Sequence, residues 1–291
     1  MHKIIGDTLY TRQAKPYAHD IRVHDLGHGH LEAVVMPRYG WSEVGTVTPQ
    51  ALADAALAQG SIWVDGAWQP HTPTAAELLD RAARNVERSA RRAKTKVRRL
   101  CKAKGLTTMV TLTYRDNMTD RDRMARDFDV FVKRLRRVVP DLQYVCVFER
   151  QKRGAWHAHI AVPRVLSHYL HKGVLVRSYD LLRSMWRGVV GVDGGNIDVS
   201  RNKRLRRSAA RLASYLAKYI TKGFQHAANA GDSYRASGRA LPQAMVIRSH
   251  QADLLGAVQD LLELIGTEIA SAREFHQALL DCGGHFVVLS P

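Results

Sequence analysis

Apolar residues in the middle of the chain recur at two periods, and the switch between them marks out the elements. Thr107-Thr-Met-Val-Thr-Leu-Thr-Tyr114 alternates between β-branched or apolar and polar positions and is bounded by Gly105 and Asp116-Asn117, which predicts a central strand. Met124, Phe128, Phe131, Leu135 and Val138 then fall at helical spacing, with Thr119 as the expected cap and Pro140 beyond the end. Around the polar turn from Arg150 to Gly154 the period returns to two. Tyr144, Cys146 and Phe148 share one face, Val145, Val147 and Glu149 the other; after the turn Ala158, Ile160 and Val162 oppose His157 and His159. Ser178 opens a further helix through about Arg187, Gly195 to Ser200 reads as a short strand, and Arg201 to Lys222 as a last helix. The order strand, helix, strand, strand, helix, strand, helix predicts an α+β fold, with helices covering an antiparallel sheet.

The flanks are less periodic. Residues 1–73 show strand-like pieces at Glu32 to Met36 and Ser61 to Trp68, with a helix from Thr48-Pro49 to Gly60 between them, and are expected to form an appendage. Thr74-Ala-Ala-Glu77 is a capping box that starts a long helix toward Lys104, with Leu78, Val86, Val97 and Leu100 as its apolar side. After Phe224 a Gly- and Ser-containing linker leads to a helix around Ala252 to Ile265, a second near Glu274 to Leu280, and a strand from His285 to Ser290. The expected division is therefore 1–73, a main domain over 74–224, and a helical extension over 225–291.

Charge changes this picture most. The chain carries a net charge of +17, which calls for a polyanionic partner. The charge is concentrated: the helix after Thr74 holds Arg81, Arg84, Arg88, Arg91, Arg92, Arg98 and Arg99 with several lysines against Glu87, and the last helix adds Arg204, Arg207 and Lys222. A solvated face mixes both signs, so these arrays read as phosphate-tracking surfaces for nucleic acid. A membrane-surface helix would need a broader apolar stripe with aromatics, so no membrane partner is expected. Cys101, Cys146 and Cys282 lack the spacing of a disulfide framework or a zinc-cysteine site. With no apolar leader at Met1 to Tyr10 and no bilayer-length apolar run, a cytoplasmic protein is expected. His24, His28 and His30 are separated by Gly27 and Gly29 and read as loop histidines.

Two constellations carry candidate chemistry. Cross-strand pairing can bring Glu149 beside His157 and His159, an open set of two imidazoles and a carboxylate suited to Mg²⁺ or Mn²⁺. On the last helix Tyr215, Lys218, Tyr219 and Lys222 share one sector, opposite Ala213, Leu216, Ala217 and Ile220. Two phenols with two ammoniums suit nucleophilic attack on a phosphodiester, with Lys218 easing ionisation of the phenol. The cysteine pair of a zinc deaminase is missing, and so is the phosphate-binding loop of a nucleotide-driven motor.

Met109 to Tyr114, His157-Ala-His159 with Glu149, and Tyr215-Leu-Ala-Lys218-Tyr219 together resemble, in order, the three motifs of the HUH endonucleases. The resemblance is specifically to rolling-circle replication initiators of the two-tyrosine type, found in single-stranded DNA phages and plasmids, and it covers roughly residues 81–224. It implies a ferredoxin-like or RNA-recognition-like core that nicks one strand at an origin, is left with a 5′-phosphotyrosyl link, and later rejoins strands to release a circle. Implied partners are single-stranded DNA, origin DNA in hairpin form or not, and a host helicase and polymerase, in the cytoplasm of a bacterial host. A relaxase or transposase of the same superfamily, and a non-catalytic DNA-binding regulator, are the alternatives.

Overall fold

The computed structural model describes every residue except 1, 6, 7, 59, 65, 66, 71, 201–207, 225–233 and 239, and leaves aside the side chains of 2–4, 51, 55, 58, 61–64, 67, 68, 70 and 221–224. In chain order the first elements are β1 (His2–Ile5), β2 (Thr8–Asp25), β3 (Leu31–Thr46), α1 (Pro49–Ala58), β4 (Ser61–Val64), β5 (Ala67–Pro70) and α2 (Ala75–Ala103). The central run is β6 (Thr108–Tyr114), α3 (Arg121–Leu135), β7 (Val145–Arg150), β8 (Trp156–Val162), β9 (His168–His171), β10 (Val174–Arg177) and α4 (Ser178–Val190). A single 3₁₀ turn, Gly191–Asp193, leads into β11 (Gly195–Val199) and α5 (Ala209–Phe224). The chain ends with β12 (Tyr234–Ala236), β13 (Met245–Ser249), α6 (Leu254–Leu264), α7 (Gly266–Ser271), β14 (Glu274–Leu279) and β15 (His285–Ser290). Among the described residues no helix is long and apolar enough to cross a membrane.

These elements form two compact units. One comprises Met1–Asp25, Leu31–Ala83 and Gln243–Ser290; the other comprises Leu26–His30, Arg84–Pro242 and Pro291. In the first, the sheet runs β1-β2-β3-β15-β14, with β13 paired to another part of β2. Ile21, Val23, Ala33, Val35, Val287 and Leu289 pack beneath Ala257, Val258 and Leu261 of α6. The stretch from Glu274 to Leu280, expected as a helix, is strand β14, paired with β15 from Glu274↔Ser290 to Leu279↔His285. Glu, Gln, Ala and Leu favour a helix locally, but the ladder on β15 wins because a sheet edge satisfies every backbone group that it pairs. β15 in turn pairs with β3, so the two terminal segments share one sheet instead of forming an appendage and a helical extension.

The second unit is the α+β core. Its sheet runs β11-β6-β8-β7-β12, antiparallel at every pairing. Counted along β6-α3-β7-β8-α4-β11, the strands lie in the order fourth, first, third, second, which is the ferredoxin-like arrangement. One face buries Phe128 and Phe131 of α3 and Leu182 and Trp186 of α4 against Val110, Leu112, Phe148 and Ile160. The close approach of Trp186 requires Gly195, where a Cβ would stand 2.5 Å from the indole nitrogen and 2.7 Å from the Thr113 carbonyl. The opposite face buries Val97 and Leu100 of α2 and Leu212, Leu216 and Ile220 of α5 against Met109, Val145, Val147 and Ala161.

Local expectations fared unevenly. The capping box forms reciprocally, with Thr74 N–H donating to Glu77 Oε2 at 2.8 Å and Glu77 N–H to Thr74 Oγ1 at 3.2 Å. Leu78 and Val86, expected on the packed side of α2, are 52% and 46% exposed, because the buried stripe begins only at Ala90. Gly105 closes that helix in the left-handed region, φ +57°. α3 is capped by Asp120, whose Oδ1 accepts from Arg123 N–H at 3.0 Å, and not by Thr119. The β9-β10 hairpin was not expected.

Candidate active site

The register places the predicted groups side by side. Glu149 lies directly opposite His157, and Val147 opposite His159, on the sheet face that α5 covers. His159 donates from Nε2 to Oε2 of Glu149 at 2.8 Å, and both side chains are buried. Its other nitrogen, Nδ1, stands 3.2 Å from the hydroxyl of Thr111, the residue opposite it on β6. The Gln151 amide lies 2.9 Å from His157 Nδ1. This leaves His157 Nε2 buried without a hydrogen-bond partner. Burial first, then the neighbouring His159, pushes the His157 pKa below its ordinary value, so the ring is held neutral with a lone pair to offer.

α5 brings the phenols over these strands. Ala213, Leu216, Ala217 and Ile220 are buried on its inner side, as the helical wheel predicts, while Tyr215 and Tyr219 are half-buried. The Tyr219 ring stacks on the His159 imidazole with centroids 4.1 Å apart and planes 11° apart. Its hydroxyl donates to the Tyr215 oxygen at 2.5 Å, and the two rings meet edge to face at 5.2 Å. Burial, then this donated hydrogen bond and the nearby Glu149 charge, push the Tyr219 phenol well above its ordinary pKa. Lys218 is exposed on the same helix and, among the described residues, makes no hydrogen bond or ion pair.

The other tyrosines weighed as nucleophiles are placed elsewhere. Tyr114 is buried on the opposite face of the sheet and donates to Asp127 Oδ2 at 2.7 Å, and Tyr234 is buried on β12. Of the basic residues, Arg84, Arg88, Arg91 and Arg92 are exposed on α2 and Arg98 and Arg99 are half-buried. Lys102, counted with them in the sequence, is buried. Arg204 and Arg207 lie outside the described residues, as does the side chain of Lys222. Sequence reasoning missed Thr111 and Gln151. Thr111 lay in plain view within the first motif, but only pairing with β8 gives its hydroxyl a partner.

Among the described residues no three or more His, Cys, Asp or Glu side chains are gathered to hold a metal ion as they stand. The donors nevertheless fit a divalent cation. The orphaned Nε2 of His157 sits beside an imidazole and a carboxylate that now satisfy each other, and small rotations would exchange that hydrogen bond for coordination.

Residues 107–224 match the sequence profile of a family described as replication-associated protein ORF2. The matched stretch is less than half of the chain; it runs from the start of β6 to the end of α5 and contains all three motifs. This segment is therefore similar to replication-associated proteins, which points to DNA as the partner and to a role in replication. No curated protein and no solved structure matches the chain.

Proposed function

We propose that the chain is an HUH-type replication initiator that cuts one DNA strand at an origin by tyrosine attack and later rejoins strands. The observation that carries this reading is the pair of hydrogen-bonded phenols stacked on His159, on the face that holds Glu149 and His157. Isolated, each constellation has a bland explanation; two nucleophiles laid against a metal-capable strand pair do not.

A divalent cation, Mg²⁺ or Mn²⁺, held by His157, His159 and Glu149 would polarise a nonbridging oxygen of the scissile phosphate. The chain's own residues do the rest. Tyr215 accepts the Tyr219 hydrogen bond and so has its own O–H proton turned away, free to leave as its oxygen attacks phosphorus. The bond from phosphorus to the 3′ oxygen breaks, that oxygen takes up a proton, and the 5′ phosphate stays on Tyr215. Negative charge on the Tyr215 oxygen is met by the Tyr219 hydroxyl while it lasts. Tyr219, holding its proton more tightly, is suited to the second transfer, which needs a free nucleophile while Tyr215 is loaded. Exposed Lys218 and the arginines of α2 receive flanking phosphates.

The test is incubation with a single-stranded circular replicon DNA and Mn²⁺, looking for a denaturation-resistant protein–DNA adduct. Adduct formation that stops with chelator while DNA binding persists supports the reading. DNA binding with no adduct under any metal would leave a binding regulator instead.

A further inference from the structure

The β9-β10 hairpin belongs to neither the sheet nor the motifs. Its tip turns through Lys172 and Gly173, both left-handed at φ 51° and 78°, the geometry of a tight two-residue turn that matches strand twist. Its root is pinned where Ser178 N–H donates to the Ser167 carbonyl at 3.0 Å and Ser178 Oγ to the Leu166 carbonyl. Tyr169 and Val176 pack on the core beside α4, so the hairpin is held firmly on one face. The other face is bare. Leu170 and Leu175, directly opposite each other, are 69% and 67% exposed, and the next pair along is His168 and Arg177. Soluble proteins seldom leave such a rigid apolar ridge uncovered without a use for it.

Charge decides what covers it. From Pro163 to Tyr179 there is no acidic residue, whereas Arg164, Lys172 and Arg177 are basic. A second copy docking through the same face would set cation against cation across its two-fold axis. At the hairpin's root lies a cleft of about 460 Å³ lined by Thr107, Thr108, Arg164, Ser167, Ser178 and Tyr179. Hydroxyls, an exposed guanidinium and a phenol suit a sugar–phosphate backbone. The cleft also adjoins the chemistry in sequence and space. Val162, paired with Thr108, is three residues beyond His159 on β8, which is about 10 Å along the strand.

We propose that the β9-β10 hairpin is a wedge for DNA at a junction between single and double strand, its Leu170–Leu175 ridge against the last base pair and the cleft holding the adjoining backbone. Apolar side chains inserted at a base step partly unstack it, and flanking cations hold the phosphates. The inference rests on DNA being the substrate of the neighbouring site. It adds that the origin is presented there with a duplex or hairpin stem alongside.

The experiment uses the full chain with chelator present, so that nothing is cut. Two probes share one sequence: an unpaired strand, and a hairpin with a single-stranded tail carrying 2-aminopurine in its last base pair. The wild-type chain should prefer the tailed hairpin and raise the 2-aminopurine signal. Leu170→Ser with Leu175→Ser should lower that preference by about ten-fold and abolish the rise. Leu279→Ser, which alters a 75% exposed leucine on β14, should do neither. Arg164→Gln should weaken the tailed hairpin more than the unpaired strand, and unchanged circular-dichroism melting would show that each variant folds. A wild type without the preference, a double variant that keeps both signals, or a wild-type dimer that the double variant breaks would each overturn the proposal. Absence of Mn²⁺-dependent cutting alongside an intact junction preference would count against the proposed nicking alone.

Discussion

Thr111→Val changes one hydroxyl, and its effect can be worked from the hydrogen bonds of His159. In the metal-free chain Nε2–H donates to Glu149 at 2.8 Å, so Nδ1 carries the lone pair and accepts from Thr111 at 3.2 Å. Coordination through Nε2 requires the other tautomer, with the proton on Nδ1. A hydroxyl serves both states because it can donate or accept. Valine serves neither, but unequally: the metal-free variant only strands an acceptor, whereas the loaded variant strands a buried N–H, which costs roughly 1–3 kcal/mol. The difference should lower Mn²⁺ affinity by about ten-fold, the lower end of what outer partners are worth. Titration of the full chain followed by the electron paramagnetic resonance of free Mn²⁺ measures it, and Thr111→Ser should restore wild-type affinity. The reasoning fails if the valine variant binds Mn²⁺ as tightly as wild type while Glu149→Gln abolishes binding.

The remaining predictions test separate parts of the molecule. Tyr215→Phe should strongly reduce nicking of an origin oligonucleotide, whereas Tyr219→Phe should nick within about ten-fold of wild type, the worth of one hydrogen bond, yet accumulate products longer than one genome unit. Equal behaviour of the two variants on denaturing gels would remove the assignment of first and second nucleophile. Neutralising Arg91, Arg92, Arg98 and Arg99 should reduce the slope of log affinity against log salt on single strands by about three at most, and an unchanged slope would make α2 a merely solvated face. Cys101 and Cys146 are buried and their thiols are pushed up by burial, Cys101 to about 12, while Cys282 is exposed. A thiol reagent at pH 8 should therefore modify only Cys282 until the chain unfolds. Because Cys101 keeps its proton in the folded state to about 12 against a reference of 9.0, its contribution to stability is complete below pH 9 and is lost as pH rises from 9 to 12. Cys101→Ser should flatten the fall of the melting temperature over that window.

How much of this was legible depended on the range of the interaction involved. The Thr74 cap, the Gly105 stop and the helical stripe of α3 each rest on residues within a turn or two of one another, and local rules found them. The pairing of Glu149 with His157 was nearly as local, because a short polar turn leaves few registers that keep both faces of β7 and β8 buried. Glu274 to Leu280 went the other way. Its residues favour a helix, and only β15, which pairs with β3 from the far end of the chain, makes it a strand. The β9-β10 hairpin has apolar residues on both faces and too little alternation to announce itself.

From the amino-acid order alone come the α+β succession, the two opposed faces of α5, the basic arrays, and the candidate ligands and nucleophiles. These are consequences of side-chain period and charge, which need no knowledge of what lies opposite. The tertiary structure decided which groups meet. Thr111 reaches His159 because β6 and β8 pair across 48 residues of sequence. Tyr219 stacks on that imidazole because α5 returns over β7 and β8, and that return also turns two phenols, equivalent on a helical wheel, into a donor and an acceptor. Contacts between distant segments depend on how the apolar faces of whole elements pack, and periodicity shows which face is apolar but not what it will be packed against.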